Sequence, residues 1–382
     1  MTLKVKRNIS WIFIALFSIV AVLVQIVKME DEMMNLIKGI FGLFCFAIAT
    51  FVVGKNVKGE AILIGLMATF LMFFSYVYNE NIRPNNFAWI WSYLGVAMLL
   101  YEYGGSRKLS LYIFYGFSLY FLYLSVFGGI DSRDALGQNS ANYVSVLLIF
   151  CICIYYVALR QFPIKDFSYI PLLVLLFLSA WAGNRSGIVC MGIVIPIVVL
   201  LNRKISAKSH HQFRFVFLLV ISTIGILVLS NYIADYTTSL TSKRESVGMA
   251  SQRSLIWSEY INGAFENFGN FIFGVPTKNP KYLYLSHFVG NPHNTFLMLH
   301  AKYGIIGFLL VIVYIIKAIR KSIRMKDYLV LVITIAIVTR SFFDWCAFPG
   351  LYDVFYYYII FYVLDNNGVN LIRNESNVVS VQ

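Results

Sequence analysis

Long uninterrupted apolar runs decide what this chain can fold into. "WIFIALFSIVAVLVQIV" (11–27) and "FVFLLVISTIGILVLS" (215–230) reach or approach membrane-crossing length, which is roughly 20 residues for a bilayer core of about 30 Å. Inside lipid a backbone amide has no water to bond, so a spanning segment must be a helix or part of a closed barrel. These runs lack the two-residue alternation of barrel strands, which leaves helices. The chain reads as an all-α, polytopic integral membrane protein.

Hydropathy predicts about twelve transmembrane helices, near 10–27, 33–53, 61–78, 87–103, 109–127, 143–159, 168–183, 187–201, 213–231, 295–316, 328–343 and 351–364. A mean hydropathy of +0.73, with only 13% charged residues, excludes a string of soluble domains despite the 382-residue length. The net charge of +13 invites a nucleic-acid reading, but its placement argues against one. With the N-terminus in the cytoplasm, most basic residues fall in alternate loops, as at Lys4, Lys6 and Arg7, Lys55 and Lys58, or Arg320, Lys321 and Arg324. That is the positive-inside pattern, and it sets both termini in the cytoplasm. Acidic "MEDE" (29–32) and "GGIDSRDALG" (128–137) fall on the outer side. The first run ends without an A-x-A site and reads as a retained span. Five cysteines, four of them inside spans, show no zinc spacing and read as small apolar residues.

No repeat of 20 to 50 residues and no inverted halves are visible, so residues 1–382 form a single membrane domain. One connection is long: 232–292, on the outer side. Within it "SQRSLIWSEYINGAFENF" (251–268) sets Leu255, Trp257, Tyr260, Ile261, Ala264 and Phe265 at helical spacing, which predicts a short amphipathic helix. A loop of this length with this aromatic content points to an ordered, working segment.

A few charges resist a bland explanation. Arg185, in "AGNRSGI", stands at a tight break between apolar helices with only Asn184 and Ser186 as polar company. It is either a helix-end arginine reaching for headgroups or an anion ligand where free N–H groups already favour negative charge. Arg253 lies four residues before Trp257, on one helix face, and has Glu259 as an ordinary alternative partner. Arg340 has Asp344 one turn on. His293 opens a helix at the water boundary beside Asn294, after Pro292. His287 is a loop histidine, kept as a supporting candidate, and His300 reads as a packing residue. His210 and His211 read as solvated.

Three ordered stretches resemble the O-antigen ligase and polymerase superfamily of bacterial envelope enzymes. "NRSG" (184–187) resembles its arginine-containing break, "SQRSLIW" (251–257) its Arg-x-x-x-Trp loop helix, and "HNTFLMLHAKYGIIGFLL" (293–310) its His-Asn-x-x-Leu followed by Gly-Ile-x-Gly. The resemblance implies a GT-C-like, metal-independent glycosyltransferase without a cofactor, in lipopolysaccharide or related surface-polysaccharide biosynthesis. It implies a multi-pass protein of the bacterial inner membrane with its active site facing the periplasm. The implied donor is an undecaprenyl-diphosphate-linked oligosaccharide. The acceptor is a second lipid-linked unit for a polymerase, the favoured reading, or lipid A-core for a ligase. Membrane lipid, a chain-length regulator and a flippase are the implied companions, with no nucleic acid.

On the same resemblance Arg185 and Arg253 bind the diphosphate and His293 takes the acceptor proton. Asn294, Trp257, Arg340, Asp344 and His287 are supporting. The chemistry suits these residue types. Guanidinium forks stabilise charge on a departing diphosphate, and an imidazole accepts a proton near neutrality. The outer loop shows no Asp-x-Asp pair or carboxylate cluster for Mg²⁺. Two other classes remain open at this point, a flippase or transporter and a non-catalytic scaffold. The gathering of unusual charges in the C-terminal half favours the enzyme.

Overall fold

The computed structural model describes residues 1–27, 31–79, 83–128, 135–136, 142–161, 168–205, 249–288 and 290–365. Among these residues the chain is helical, with no strand. Eight helices come first: α1 (Leu3–Ile26), α2 (Asp31–Val52), α3 (Lys55–Asn79), α4 (Asn85–Tyr103), α5 (Arg107–Val126), α6 (Asn142–Leu159), α7 (Ile170–Trp181) and α8 (Arg185–Ile205). After residues 206–248 come α9 (Met249–Glu266), α10 (Phe268–Phe273), α11 (Leu283–His287), α12 (Thr295–Met325), α13 (Tyr328–Phe343) and α14 (Asp353–Leu364).

Eleven expected spans coincide with helices, while the one expected at 213–231, together with His210, His211 and loop residues 232–248, lies outside the described residues. Five helices, α1, α3, α5, α6 and α12, are long and apolar enough to cross a membrane by length and composition. Shorter apolar helices include α7, α13 and α14. The chain is thus an all-helical protein of membrane character.

Helix α6 occupies the centre, with every residue from Val144 to Leu159 buried. Leu94 to Leu100 of α4 and Asp353 to Ile359 of α14 are also buried against it or near it. By contrast α3 turns Leu63, Phe70 and Val77 outward, as α5 does Tyr112, Leu119 and Tyr123. Exposed apolar stripes of this size suit lipid rather than water. Lipid tails are as apolar as leucine, so helices in such a bundle are held by close backbone approach more than by hydrophobic exclusion. Gly95 of α4 shows this, since a Cβ there would lie 2.3 Å from Phe46 Cα of α2.

The helices alternate, so their termini collect at two ends. At one end Asn79 at the close of α3 donates to Gly274 O at 2.9 Å. There too Asn184, before α8, donates to Asn142 O at the start of α6 at 2.6 Å. At the other end Trp11 Nε1 of α1 donates to Tyr103 O of α4 at 3.0 Å, and Arg160 after α6 pairs with Asp327 before α13 at 2.7 Å.

A helix, α9, lies where the sequence predicts the loop helix. Ile256, Tyr260 and Ala264 form a small second core with Val275, Leu285 and Met298. Leu255, Ile261 and Phe265 of the same helix are exposed at 37%, 48% and 72%. Both stripes satisfy helical spacing, and contact with α12 selects between them. Helix α12 is bent at Gly304, where φ is +66°, and a Cβ there would meet Ile272 O at 2.1 Å. Only glycine lets α10 lie against this bend.

Candidate functional site

His293 sits one residue before Asn294, the residue that caps α12. Asn294 Oδ1 accepts the N–H groups of Phe296 at 2.8 Å and Leu297 at 3.1 Å, and its Nδ2 donates to Phe342 O at 2.9 Å. A cap of this kind is typically worth about 1 kcal/mol. It also pins the start of α12 to the end of α13. Thr295 adds a second pin, its Oγ1 donating to Asp344 O at 2.7 Å and accepting the Cys346 N–H at 2.9 Å.

The backbone of His293 is left-handed, with φ +49°. Such a conformation costs a non-glycine residue roughly 1–2 kcal/mol, so its surroundings must enforce it. Asn291 Oδ1 accepts the His293 N–H at 2.8 Å, and Trp257 Nε1 of α9 donates to Pro292 O at 2.9 Å. The Trp257 ring meets Phe342 edge-on with centroids 5.5 Å apart. Strain held in this way is common at functional positions.

The imidazole itself is about one-quarter exposed. Nδ1 lies 3.8 Å from Asp344 Oδ1, too long for a direct hydrogen bond but close enough for charge to orient the ring. The Phe288 ring meets it edge-on at 5.4 Å. A proton on Nδ1 facing the carboxylate leaves the Nε2 lone pair available.

Asp344 is in turn held. Its Oδ2 accepts from Arg340 Nη2 at 3.3 Å and its Oδ1 accepts the Trp345 N–H at 2.9 Å. Burial pushes this carboxyl up, but His293, Arg340 and Arg253 outweigh it and hold Asp344 well below the usual carboxylate range. Arg340 is fully buried, and it donates from Nε to Ser145 Oγ at 3.2 Å and from Nη2 to Asn142 O at 3.1 Å.

Asn142 and Ser145 also receive Asn184, whose Nδ2 donates to both. Asn184 Oδ1 accepts the Gly187 N–H at 3.0 Å, capping α8, and the Ser186 hydroxyl at 2.8 Å. One polar chain therefore runs from the break that carries Arg185, through the start of α6, to Arg340, Asp344 and the side of His293. Arg185 itself is exposed at the first position of α8, and its guanidinium makes no hydrogen bond or ion pair among the described residues.

Arg253 is half-buried one turn before Trp257, without a hydrogen bond or ion pair among the described residues. Glu259, its ordinary alternative partner, instead accepts the Leu285 N–H at 2.8 Å. Burial lowers the Arg253 pKa, Asp344 opposes that shift and Arg340 adds to it. Arg253 therefore shares the electrostatic neighbourhood of Asp344 while lacking a close anion of its own.

The remaining candidates divide. The Arg340–Asp344 pair forms as the i,i+4 spacing suggests. His287 is exposed on α11 and touches only the edge of Phe288 among the ring contacts. His300 is a packing residue. Its Nε2 must donate to Phe271 O, at 2.8 Å, so its Nδ1 accepts the Tyr260 hydroxyl at 2.7 Å. Asn142 and Ser145 escaped the sequence reading, since they look like the polar edge of an apolar run. A cavity of about 410 Å³ adjoins the site, walled by Phe288, Asn291 and Trp345. His293, Arg185 and Arg253 are not among its lining residues.

Fold and site together define an integral membrane protein with a polar, cation-rich cluster at one end of its helical bundle. Residues 170–312 match the O-antigen ligase family, a likeness that covers part of the chain and supports a relation to the O-antigen ligases and polymerases. The matched stretch runs from the start of α7 into α12 and contains Arg185, Arg253 and His293, while Arg340 and Asp344 lie beyond it. No curated protein matches the chain.

Proposed function

We propose that this protein is a glycosyltransferase of the bacterial inner membrane that takes its saccharide from undecaprenyl diphosphate at the periplasmic face, with both termini in the cytoplasm. A hydroxyl oxygen of the acceptor sugar attacks the anomeric carbon of the donor. The anomeric carbon–oxygen bond to the diphosphate breaks, and the departing diphosphate keeps the electron pair. His293 Nε2 takes the hydroxyl proton, while Asp344, fixed by Arg340, stabilises the imidazolium. Arg185 and Arg253 bind the charge that grows on the diphosphate, a task for which arginine needs no metal.

The observation that carries this reading is the oriented imidazole. It is strained into place, faces a buried carboxylate, and has the half-buried Arg253 within the same field. The match of residues 170–312 to the O-antigen ligase family supports sugar transfer over the flippase and scaffold readings. Polymerisation, with a second lipid-linked unit as acceptor, is the reading we adopt. Ligation to lipid A-core is the second, favoured by the description of the matched family as O-antigen ligase.

The test supplies purified protein in nanodiscs with lipid-diphosphate oligosaccharide alone, then with lipid A-core. Longer lipid-linked chains in the first arm establish the polymerase. Product only in the second arm establishes the ligase. Donor left intact in both arms rejects the transferase.

A further inference from the structure

The cavity beside the site has a chemistry of its own. Four cations line it, Lys38, Arg83, Lys278 and Lys302, and no acidic residue is among its described lining. Its volume of about 410 Å³ falls within the roughly 300–1,000 Å³ of small-ligand sites. Lys302 is the buried member, only 6% exposed, with Nζ 4.4 Å from the Trp345 ring centroid. Lys38 Nζ stands 5.6 Å from the Trp89 ring centroid in the same wall. Cation–π contact holds an ammonium group in place without cancelling its charge.

The carboxylate acting on Lys302 is Asp353, and its two oxygens are already engaged by the N–H groups of Phe348 at 2.8 Å and Gly350 at 3.1 Å. Lys278 and Arg83 add positive charge around Lys302. The Arg83 guanidinium is exposed and makes no hydrogen bond or ion pair among the described residues. A buried lysine among further cations keeps its charge most readily with an anion beside it, so charge on Lys302 and an anionic occupant favour each other.

The cavity shares its wall with the proposed site. Phe288 packs on His293, Asn291 Oδ1 holds the His293 N–H, and the Trp345 N–H donates to Asp344. An occupant therefore lies across that wall from His293 without using the residues assigned to the diphosphate. The indoles of Trp89 and Trp345 in the lining give apolar surface for the C–H groups of a sugar ring, and the basic side chains suit a carboxylate or phosphate attached to it.

We propose that this cavity binds an acidic sugar unit of the saccharide substrate, one that carries a carboxylate or phosphate group, across the Phe288–Asn291–Trp345 wall from His293. The inference rests on the glycosyltransferase reading for its biological meaning, but its test reads binding rather than transfer. The full chain in nanodiscs of phosphatidylcholine is titrated with oligogalacturonate, its carboxyl-reduced neutral counterpart and inorganic diphosphate. The acidic oligosaccharide should bind at least about tenfold tighter than the neutral one, and Lys302→Met should remove about that factor for the acidic ligand alone. Arg83→Gln, at an exposed position, supplies the same comparison should Lys302→Met fail to insert.

Equal binding of the acidic and neutral oligosaccharides overturns the proposal, as does wild-type binding of the acidic one by both variants. Inorganic diphosphate that binds as tightly as the acidic oligosaccharide and loses that affinity in Lys302→Met would reduce the cavity to a bare anion site and also overturn it. Displacement by phosphatidylglycerol added to the disc would reassign it to a lipid headgroup. His293→Ala should retain acid-selective binding while losing transfer, which separates failure of the cavity from failure of the transferase.

Discussion

At the end of the bundle where α6 finishes and α13 begins, Arg160 pairs with Asp327 at 2.7 Å and donates to Tyr358 Oη at 3.1 Å. Lys321 there donates to Tyr362 O at 2.5 Å, and Tyr101 donates to Asp365 at 2.5 Å. At the end where α6 begins and α13 finishes, Arg340 is likewise tied to Asp344, Ser145 and Asn142. Yet Arg253 and Arg185 stand at that end without a hydrogen bond or ion pair among the described residues. Both ends use arginine to join helices, and both carry arginines outside any ion pair among the described residues, such as the exposed Arg107, Arg320 and Arg324 at the first. The second differs in setting a half-buried arginine, Arg253, in the field of Asp344 beside His293.

The sharpest way to break this comparison is to remove the base from the site end. His293→Ala should lower sugar transfer by about 10²–10⁴-fold, the usual range for losing a general base, while the protein still inserts and purifies. Transfer at the wild-type rate would remove His293 from the mechanism. Next comes Arg340, which is fully buried and holds Asp344. Removing one partner of a buried pair leaves the other charge uncompensated, at a cost of about 3–5 kcal/mol. Arg340→Ala should therefore show a much lower unfolding temperature in detergent. Undiminished stability would mean that Asp344 does not need it.

The free guanidinium groups give the next effect. Arg253→Ala should weaken donor binding by about 10–100-fold, as expected for lost hydrogen bonds to a charged group. Arg253→Lys should rescue it poorly, because an ammonium group cannot supply the planar fork. Titration of the lipid-diphosphate donor measures both, and full rescue by lysine would show that point charge alone suffices.

Much of the architecture was legible because lipid imposes a length and a periodicity on every span. The runs at 143–159 and 328–343 became α6 and α13 almost to the residue. Arg185, Arg253 and His293 were legible as charges in places where charge is expensive or unpaired. The Arg340–Asp344 pair followed from its spacing. Less visible was anything decided by tertiary choice. Ile256 rather than Leu255 faces inward because α12 lies on that side of α9. Asn142 and Ser145 matter only because Asn184 and Arg340 arrive from other helices. The cationic cavity was equally hidden, since Lys38, Arg83, Lys278 and Lys302 are scattered along the sequence and meet only in space.

The smallest effect expected on the reaction belongs to the opposite end, and it is the one that sharpens the contrast. Arg160 is largely buried and satisfied on several sides, so Arg160→Gln should cost stability, roughly 1–3 kcal/mol for lost charge-assisted hydrogen bonds. Its distance from the His293 end along α6 and α13 means that the transfer rate per folded molecule should stay near wild type. Thermal unfolding and donor turnover on the same preparation separate the two quantities. A variant that keeps its stability but loses turnover would show that the closed end communicates with the site. The two ends would then be one coupled device, and the division between a structural lock and a ligand-ready cluster would fail.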